Sequence, residues 1–236
     1  MGGVTPYREA WSLQERLQHR LISRKRKNPD SKTPLESPKD MPAGYLMLLE
    51  HPHVYTIGKS GDIKNLLFTE EVLEKRGIDV IRTDRGGDIT YHGPGQLVGY
   101  PVLDLEQFGL GVAAYLNKLE EVIIRTTAFF GITSKRIPSR TGVWVGNSKI
   151  CAMGIKCSRY VTMHGFALNI HTDLSLFQGI IPCGIHEGGV ASLQNILSPA
   201  PSLHQVRDQL LKEFGRVFSC RLDQKPQIPG FSATPS

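Results

Sequence analysis

Two side chains in this sequence, a cysteine and a lysine in separate segments, could form a nucleophile and the cation that activates it. Cys183 lies in "IIPCGI", at the end of a short apolar run, and Lys149 lies in "NSKICAMGIK". A free thiol has a pKa of about 8.5, and a nearby cation lowers that pKa, which makes thiolate available near neutral pH. We expect such chemistry only if the fold brings Lys149, or a protonated His92 or His164, to Cys183.

Each of these side chains also has an ordinary structural interpretation. A free cysteine is more often a buried and inert small hydrophobe, and a disulfide or metal-binding role has to be weighed as well. The cysteines are Cys151, Cys157, Cys183 and Cys220. They are too few for a disulfide-stapled secreted domain and lack a C-x-x-C zinc spacing, which favours free thiols in a reducing compartment. On a strand, Lys149 would share a face with Met153, and it could simply extend its ammonium group to solvent.

A third stretch, "RGGDITYHGPGQLVGY" (85–100), is rich in glycine and flanked by Arg85 and His92. Glycine lets a backbone turn sharply and approach a ligand closely. No G-K-[ST] follows, and the G-x-G-x-x-G order is absent, which argues against a P-loop and a dinucleotide site. The glycines therefore predict a close backbone approach without identifying its target. A loop with tight turns and no ligand is the structural alternative.

The composition is that of one globular domain. The 236 residues are 40% hydrophobic and 21% charged, enough for a sizeable core. No apolar run approaches the roughly 18–20 residues that span a bilayer, and the first residues have no apolar core of a secretory signal. The net charge of +6 favours an acidic partner. The basic run "SRKRK" has no nucleic-acid-binding motif beside it, so we expect neither a nucleic-acid nor a membrane partner.

Strand and helix patterns alternate along the chain in a way that predicts how these residues are held. Helical periodicity covers 6–27, 69–77, 112–131 and 202–218, and strand-like runs cover 44–51, 53–59, 79–84, 97–105, 141–146, 148–158 and 161–171. Hairpin-like pairs outnumber βαβ units, which predicts an α+β fold with a mixed sheet. We expect one catalytic domain over 1–223, a flexible Pro-rich loop or insertion at 28–43, and a frayed, disordered tail over 224–236.

Taken together and in order, the blocks "RGGDITYHGPGQLVGY", "GVWVGNSKICAMGIK", "MHGFALNI" and "IIPCGI" resemble the lipoyl(octanoyl) transferase family, over about residues 4–193. The resemblance implies a biotin/lipoate protein ligase-like fold, a mixed sheet with packed helices. It also implies transfer of octanoyl from acyl carrier protein to a lysine of a lipoyl domain, without a metal, ATP or other cofactor.

The resemblance implies a role for particular residues of this chain. Cys183 matches the nucleophile that forms a thioester acyl-enzyme, and Lys149 matches the lysine that handles its proton. The residues matched to acyl binding are Arg85, Gly86, Gly87, Asp88, Ile89, Thr90, Tyr91, His92, Ala152, Met153, Gly154, Gly165, Phe166 and Ala167. His92 and His164 could orient the reacting groups or be ordinary satisfied histidines.

The same resemblance implies partners and a location. The donor would be octanoyl-acyl carrier protein, and the acceptors would be the lipoyl domains of 2-oxoacid dehydrogenases and the glycine cleavage H protein. The Pro-rich insertion and the basic pI favour the mitochondrial form, with the bacterial cytoplasm as the alternative. Two other functions stay open: an ATP-dependent lipoate or biotin protein ligase, and a non-catalytic protein that binds lipoyl domains.

Overall fold

A computed structural model describes residues 4–25, 42–181 and 189–224, and the backbone of 231–235. The helices are α1 (Tyr7–Lys25), α2 (Glu70–Arg76), α3 (Val112–Phe129), α4 (Leu193–Ile196) and α5 (Leu203–Phe218). The strands are β1 (Gly44–Leu49), β2 (Val54–Ile57), β3 (Asp79–Arg82), β4 (Ile89–His92), β5 (Gln96–Leu103), β6 (Lys135–Ile137), β7 (Arg140–Val145), β8 (Ser148–Ser158), β9 (Val161–Asn169), β10 (Cys220–Gln224) and β11 (Phe231–Pro235).

The described strands form two sheets of different size. The large sheet has the order β10-β11-β1-β5-β9-β8-β7-β6, and the small sheet has the order β3-β2-β4. Neighbours in the large sheet are antiparallel. In the small sheet β2 pairs parallel with β3 and antiparallel with β4. Both sheets contribute to the site described below.

Helices cover both faces of the large sheet. On one face, α3 and α5 bury Leu119, Ile123 and Phe214 against the sheet. On the other face, α1 buries Leu17 and Leu21. Each helix has an apolar stripe of 3.6-residue period, as expected of helices that pack on a sheet. The small sheet has its own apolar cluster, which includes the 3₁₀ helix Leu174–Gly179.

Buried carboxamides on α1 hold it to the sheet. The side-chain oxygen of Gln14 accepts from the backbone N–H of His164 at 2.7 Å, and the side chain of Gln18 donates to the carbonyl of Val161 at 2.8 Å. His164 has a φ of +58°, a left-handed conformation that a non-glycine residue rarely adopts within a strand. Its N–H can therefore bond to the helix instead of following the regular strand ladder.

The predicted α+β fold with a mixed sheet is confirmed, and the main helices and strands lie where periodicity predicted them. Three short strands, β4, β6 and β10, were not predicted. We also expected a frayed tail over 224–236, whereas the backbone of Phe231–Pro235 pairs with β1 and β10. Backbone hydrogen bonding does not depend on side-chain periodicity, so the pattern gave no signal for this pairing.

The loop predicted at 28–43 lies almost wholly outside the described residues. Within the described part of the chain, every helix is too short or too polar to cross a membrane.

Candidate active site

A cavity of about 310 Å³ lies where the small sheet meets the large one. The glycine-rich block contributes Arg85, Gly87, Asp88, Ile89, Thr90 and His92 to its wall. Strands β8 and β9 contribute Lys149, Ala152, Met153, Gly154, Gly165, Phe166 and Ala167. The fold therefore brings three separate sequence segments to one space. Of the predicted acyl-binding residues, Gly86 and Tyr91 do not line the cavity.

Gly86 instead joins the two sheets. Its N–H donates to the carbonyl of Ile155 in β8 at 2.8 Å, while Lys59, just after β2, donates its N–H to the carbonyl of Arg85 at 2.9 Å. A Cβ at Gly154 would lie 2.7 Å from the Gly86 carbonyl oxygen, and a Cβ at Gly58 would lie 2.2 Å from the Gly87 oxygen. Glycines are needed here because backbone approaches backbone.

Tyr91 lies on the opposite face of β4 from Thr90 and His92, because neighbouring residues of a strand alternate between its faces. Its hydroxyl bonds to His53 Nδ1 at 2.7 Å, and its ring packs edge-on against Phe177 at a centroid distance of 5.4 Å. Phe177 belongs to the 3₁₀ helix Leu174–Gly179 and lines the cavity. Tyr91 thus supports the segment that leads toward Cys183.

Arg85 is a buried cation at the base of the glycine-rich block, with 7% of its surface exposed. Its Nη2 donates to the Thr56 carbonyl at 2.6 Å, its Nε donates to the Thr56 hydroxyl at 3.2 Å, and its Nη1 donates to the Gly86 carbonyl at 3.0 Å. A buried charge is tolerated when it is hydrogen-bonded in this way. Arg85 thereby fixes the block against β2 and brings positive charge to the cavity.

His92 is a neutral residue in a hydrogen-bonded network. Its Nδ1 lies 2.8 Å from Gln96 Oε1, which can only accept, so Nδ1 carries the proton. Burial, together with neighbouring His51, lowers the pKa of His92 to about 3. Burial likewise lowers the pKa of His164, although Asp84 opposes that effect through a 2.7 Å contact to Nε2. Burial therefore disfavours the charged form of both histidines.

Lys149 remains the cation predicted from the sequence. It lies on β8 and is half-buried, with Nζ 4.8 Å from the ring centroid of Trp144, a cation–π contact. Gly142, at a φ of +120°, lies against β8, since a Cβ there would be only 2.6 Å from the Cys151 carbonyl oxygen. Trp144 on β7 thus provides the aromatic contact of the lysine side chain.

The described residues on either side of Cys183 are attached to different parts of the fold, a 3₁₀ helix (Ile63–Asn65) and strand β8. Cys183 itself lies outside the described residues, within 182–188. Before it, the N–H of Ile181 donates to the carbonyl of Asn65 at 2.8 Å. After it, Gly189 accepts from the N–H of Lys149 at 2.9 Å, and Ala191 donates its N–H to the Lys149 carbonyl at 3.0 Å. The chain thus rejoins the large sheet alongside Lys149.

The other cysteines are free thiols without thiolate character. Cys151 is fully buried on β8, and burial raises the pKa of its thiol. Cys157 is half-buried, and burial raises its pKa as well. Burial raises the pKa of Cys220 to about 11. None of the three is suited to nucleophilic attack near neutral pH.

Sequence reasoning missed several residues of the cavity wall. They include Tyr7, Gln96, Tyr100, Ser139, Arg140, Thr141, Asn169, Phe177 and Val190. Gln96 and Tyr100 fall within the quoted glycine-rich stretch, so their proximity to it was a usable signal. Tyr7 on α1 and Val190 reach the cavity only through long-range packing, for which no local pattern exists.

Comparison with known proteins shows the family of this chain. A family model for the lipoyl protein ligase A/B catalytic domain matches residues 6–215. The chain belongs to this family. It is 46% identical to an octanoyltransferase of Christiangramia forsetii over 93% of this chain and 94% of the relative. It is 50% identical to an octanoyltransferase of Solibacter usitatus, over 80% and 83% of the two chains.

Solved structures of lipoate ligases confirm the predicted fold. A putative lipoate protein ligase from T. acidophilum with bound lipoic acid superposes with a TM-score of 0.65 at 18% identity, covering 92% of this chain and 86% of that one. A lipoate-protein ligase A bound with ATP superposes with a TM-score of 0.64 at 19% identity, covering 92% and 85%. At these identities the likeness establishes the lipoate ligase-like fold alone.

Proposed function

We propose that this protein transfers an octanoyl group to a lysine of lipoyl domains, through a thioester on Cys183 and with Lys149 as acid and base. One observation carries the proposal. In a chain closely related to octanoyltransferases, Lys149 lines the same cavity as most of the residues predicted to bind the acyl chain. A nucleophile that is paired with a cation beside an acyl-sized space is the arrangement that acyl transfer requires.

The cavity wall suits a fatty acyl chain. Ile89, Met153, Phe166 and Phe177 are apolar residues of the wall, and its polar residues include Arg85, His92, Arg140 and Lys149. Small-molecule sites combine such a mainly apolar lining with a few fixed polar groups. An octanoyl chain would lie along the apolar wall, with its carbonyl directed to the end that carries Lys149.

The proposed reaction has two steps. The neutral amine of Lys149 takes the proton of the Cys183 thiol and becomes the ammonium cation that stabilises the thiolate, and the thiolate attacks the donor thioester. The bond to the carrier sulfur breaks, and the carrier leaves as a thiol after receiving that proton. The acceptor lysine then attacks the Cys183 thioester as a free amine, an amide bond forms, and Cys183 leaves as a thiol with the amine's proton relayed by Lys149. Atoms and protons balance without ATP.

The partners proposed are those expected from the sequence. An acidic octanoyl-acyl carrier protein would be attracted by a chain of net charge +6. The acceptors would be the lipoyl domains of 2-oxoacid dehydrogenases and the glycine cleavage H protein. The octanoyltransferases compared above are bacterial, which supports the bacterial cytoplasm as the location. The mitochondrial form predicted from the insertion and the pI receives no support from them.

The alternative functions make different predictions. An ATP-dependent ligase would load free octanoate or lipoate only when ATP is present, and a non-catalytic lipoyl-domain-binding protein would load neither. Likeness to an ATP-bound ligase is confined to the fold, at 19% identity. Identity of 46% to an octanoyltransferase therefore favours transfer over ligation.

The test is to incubate the protein with octanoyl-carrier protein, without ATP, and to measure its intact mass. We expect one added octanoyl group, which is lost when a lipoyl domain is supplied. Cys183→Ser should form no adduct. Cys157→Ser is the matched control, because it removes a different, half-buried thiol, which lies on β8. This variant should react like the unaltered protein. An adduct that persists in Cys183→Ser would refute the thioester.

A further inference from the structure

Two buried carboxamides, Gln96 and Asn169, connect the glycine-rich block to the strand that carries Lys149. Gln96 is the first residue of β5 and Asn169 the last residue of β9, and the two are register partners in the large sheet. They are 1% and 4% exposed, and both line the cavity. Buried carboxamides are costly unless they are fully hydrogen-bonded, so their partners show what they hold in place.

The contacts of Gln96 allow one orientation of its amide. Its Nε2 donates to the carbonyl of Tyr91 at 3.2 Å and to Asn169 Oδ1 at 2.9 Å. Its Oε1 accepts from His92 Nδ1 at 2.8 Å. A reversed amide would set its oxygen against the Tyr91 carbonyl, an acceptor against an acceptor. Gln96 therefore holds the side chains of His92 and Asn169 in a fixed orientation relative to each other.

Asn169 continues the connection to the backbone beside Lys149. Because its Oδ1 accepts from Gln96, its Nδ2 faces Ala191 and donates to that carbonyl at 3.0 Å. The N–H of Ala191 donates in turn to the Lys149 carbonyl at 3.0 Å. A continuous path of hydrogen bonds thus runs from His92 in the small sheet to Lys149 in the large one. Buried networks of this kind strengthen and fix one another's geometry.

We propose that Gln96 and Asn169 are positioning residues for acyl transfer, since they hold Ala191, and with it the chain that follows Cys183, beside Lys149. This inference rests on the proposed function. Backbone hydrogen bonds attach Gly189 and Ala191 to β8 on one side, and Asn169 holds the Ala191 carbonyl on the other. A misplacement of about 1 Å at reacting groups can lower the rate on the order of 100-fold.

Isosteric substitutions test the pair with little change in packing. Asn169→Asp removes the donor to Ala191, and Gln96→Glu removes the donor to Asn169. Gln18→Glu is the matched control: Gln18 is 3% exposed and donates to the carbonyl of Val161, but it lies on α1 and outside the cavity wall. Asn169→Ala gives an uncharged second variant in case a buried carboxylate prevents folding.

The measurement is the rate of octanoyl adduct formation per folded molecule, with the folded fraction taken from circular dichroism. We expect both isosteric variants to react roughly 10–100-fold more slowly, with an unchanged KM for octanoyl-carrier protein. The rate of Cys183 alkylation by iodoacetamide should also fall at neutral pH. Gln18→Glu should lose thermal stability but keep both rates.

The pH profile separates positioning from mere stability. When the carboxyl group of Asn169→Asp is protonated, it can donate to the Ala191 carbonyl again. Its rate relative to the unaltered protein should therefore rise as pH falls, whereas Asn169→Ala should show no such recovery.

Two outcomes would overturn these ideas separately. If the unaltered protein forms no octanoyl adduct, the proposed function is wrong and this inference is lost with it. If the unaltered protein forms the adduct, and all variants at positions 96 and 169 react as fast as Gln18→Glu, the positioning role alone is wrong.

Discussion

Gly99 is a position at which a single methyl group should change the shape of the proposed acyl cavity. It pairs across the sheet with Phe166, whose ring lies over the glycine. A Cβ at Gly99 would be 2.1 Å from Phe166 Cζ, where ordinary contact begins at 3.4 Å. In Gly99→Ala the ring must therefore move by at least the difference, about 1.3 Å. Such overpacking typically costs about 1–3 kcal/mol of stability.

Phe166 also lines the cavity, and we expect the displaced ring to move toward that space. Phe166 is 2% exposed and otherwise packed in the core between the large sheet and its helices. Protein cores are close-packed and yield little, so the ring should move into the cavity and shorten it. Burying one CH₂ group contributes about 0.8 kcal/mol of binding free energy. The kcat/KM of a donor should therefore fall roughly fourfold for each methylene of its acyl chain that no longer fits.

The assay compares octanoyl- and hexanoyl-carrier protein as donors, together with urea denaturation. Gly99→Ala should be destabilised, and its octanoyl-to-hexanoyl ratio of kcat/KM should fall about fourfold or more for each excluded methylene. Gly111→Ala is the control, because no atom lies within 4 Å of its added Cβ. A destabilised Gly99→Ala with an unchanged ratio would mean that the ring moves elsewhere, and would refute the reasoning.

Two further predictions concern charge. Lys149→Met should lower kcat by about 10²–10⁴ while Lys135→Met, an exposed lysine on β6, leaves it unchanged, as steady-state kinetics would reveal; equal rates would remove Lys149 from the chemistry. Burial lowers the pKa of His51 to about 4 and that of His92 to about 3, from 6.5, so between those values and 6.5 the unfolded chain binds more protons. Each histidine should then lower the free energy of unfolding by about 1.4 kcal/mol for each pH unit below 6.5, and should have no such effect above 6.5. Urea titrations at several pH values should therefore show that the free energy of unfolding of His92→Gln falls less steeply with decreasing pH than that of the unaltered protein.

Local sequence patterns predicted the elements better than their arrangement. The helix α3 and the hairpin of β8 and β9 follow from periodicity, because each is specified by residues close in the chain. The glycine-rich block was correctly expected to approach another group closely. What it approaches, the carbonyl of Ile155 on one side and Lys59 on the other, depends on pairing between distant segments. No residue within the block encodes those partners.

Asn169 was missed, while its neighbours in "MHGFALN" were predicted, because its contacts also depend on pairing between distant segments. Gly165, Phe166 and Ala167 came from a family resemblance, which marks residues by type and order. The role of Asn169 becomes visible only when its Oδ1 is found on Gln96 and its Nδ2 on Ala191. An asparagine at a strand end has many ordinary uses, so its type carries little information until the register of β5 and β9 is known.

The position of the cavity between two sheets ties catalysis to how those sheets are held together. Gly86 bonds to the large sheet while Arg85 bonds to the small one, and the segment that contains Cys183 leaves beside Asn65 and returns at Lys149. The large sheet carries Lys149 and part of the cavity wall, and the glycine-rich block beside the small sheet supplies another part. A small relative shift of the sheets would change the distance between the proposed nucleophile and the proposed base without unfolding either sheet. Residues that span this junction should therefore affect the rate of transfer more than they affect stability. Gln96 spans it in the cavity wall, because it bonds to His92 of the small sheet and to Asn169 of the large one.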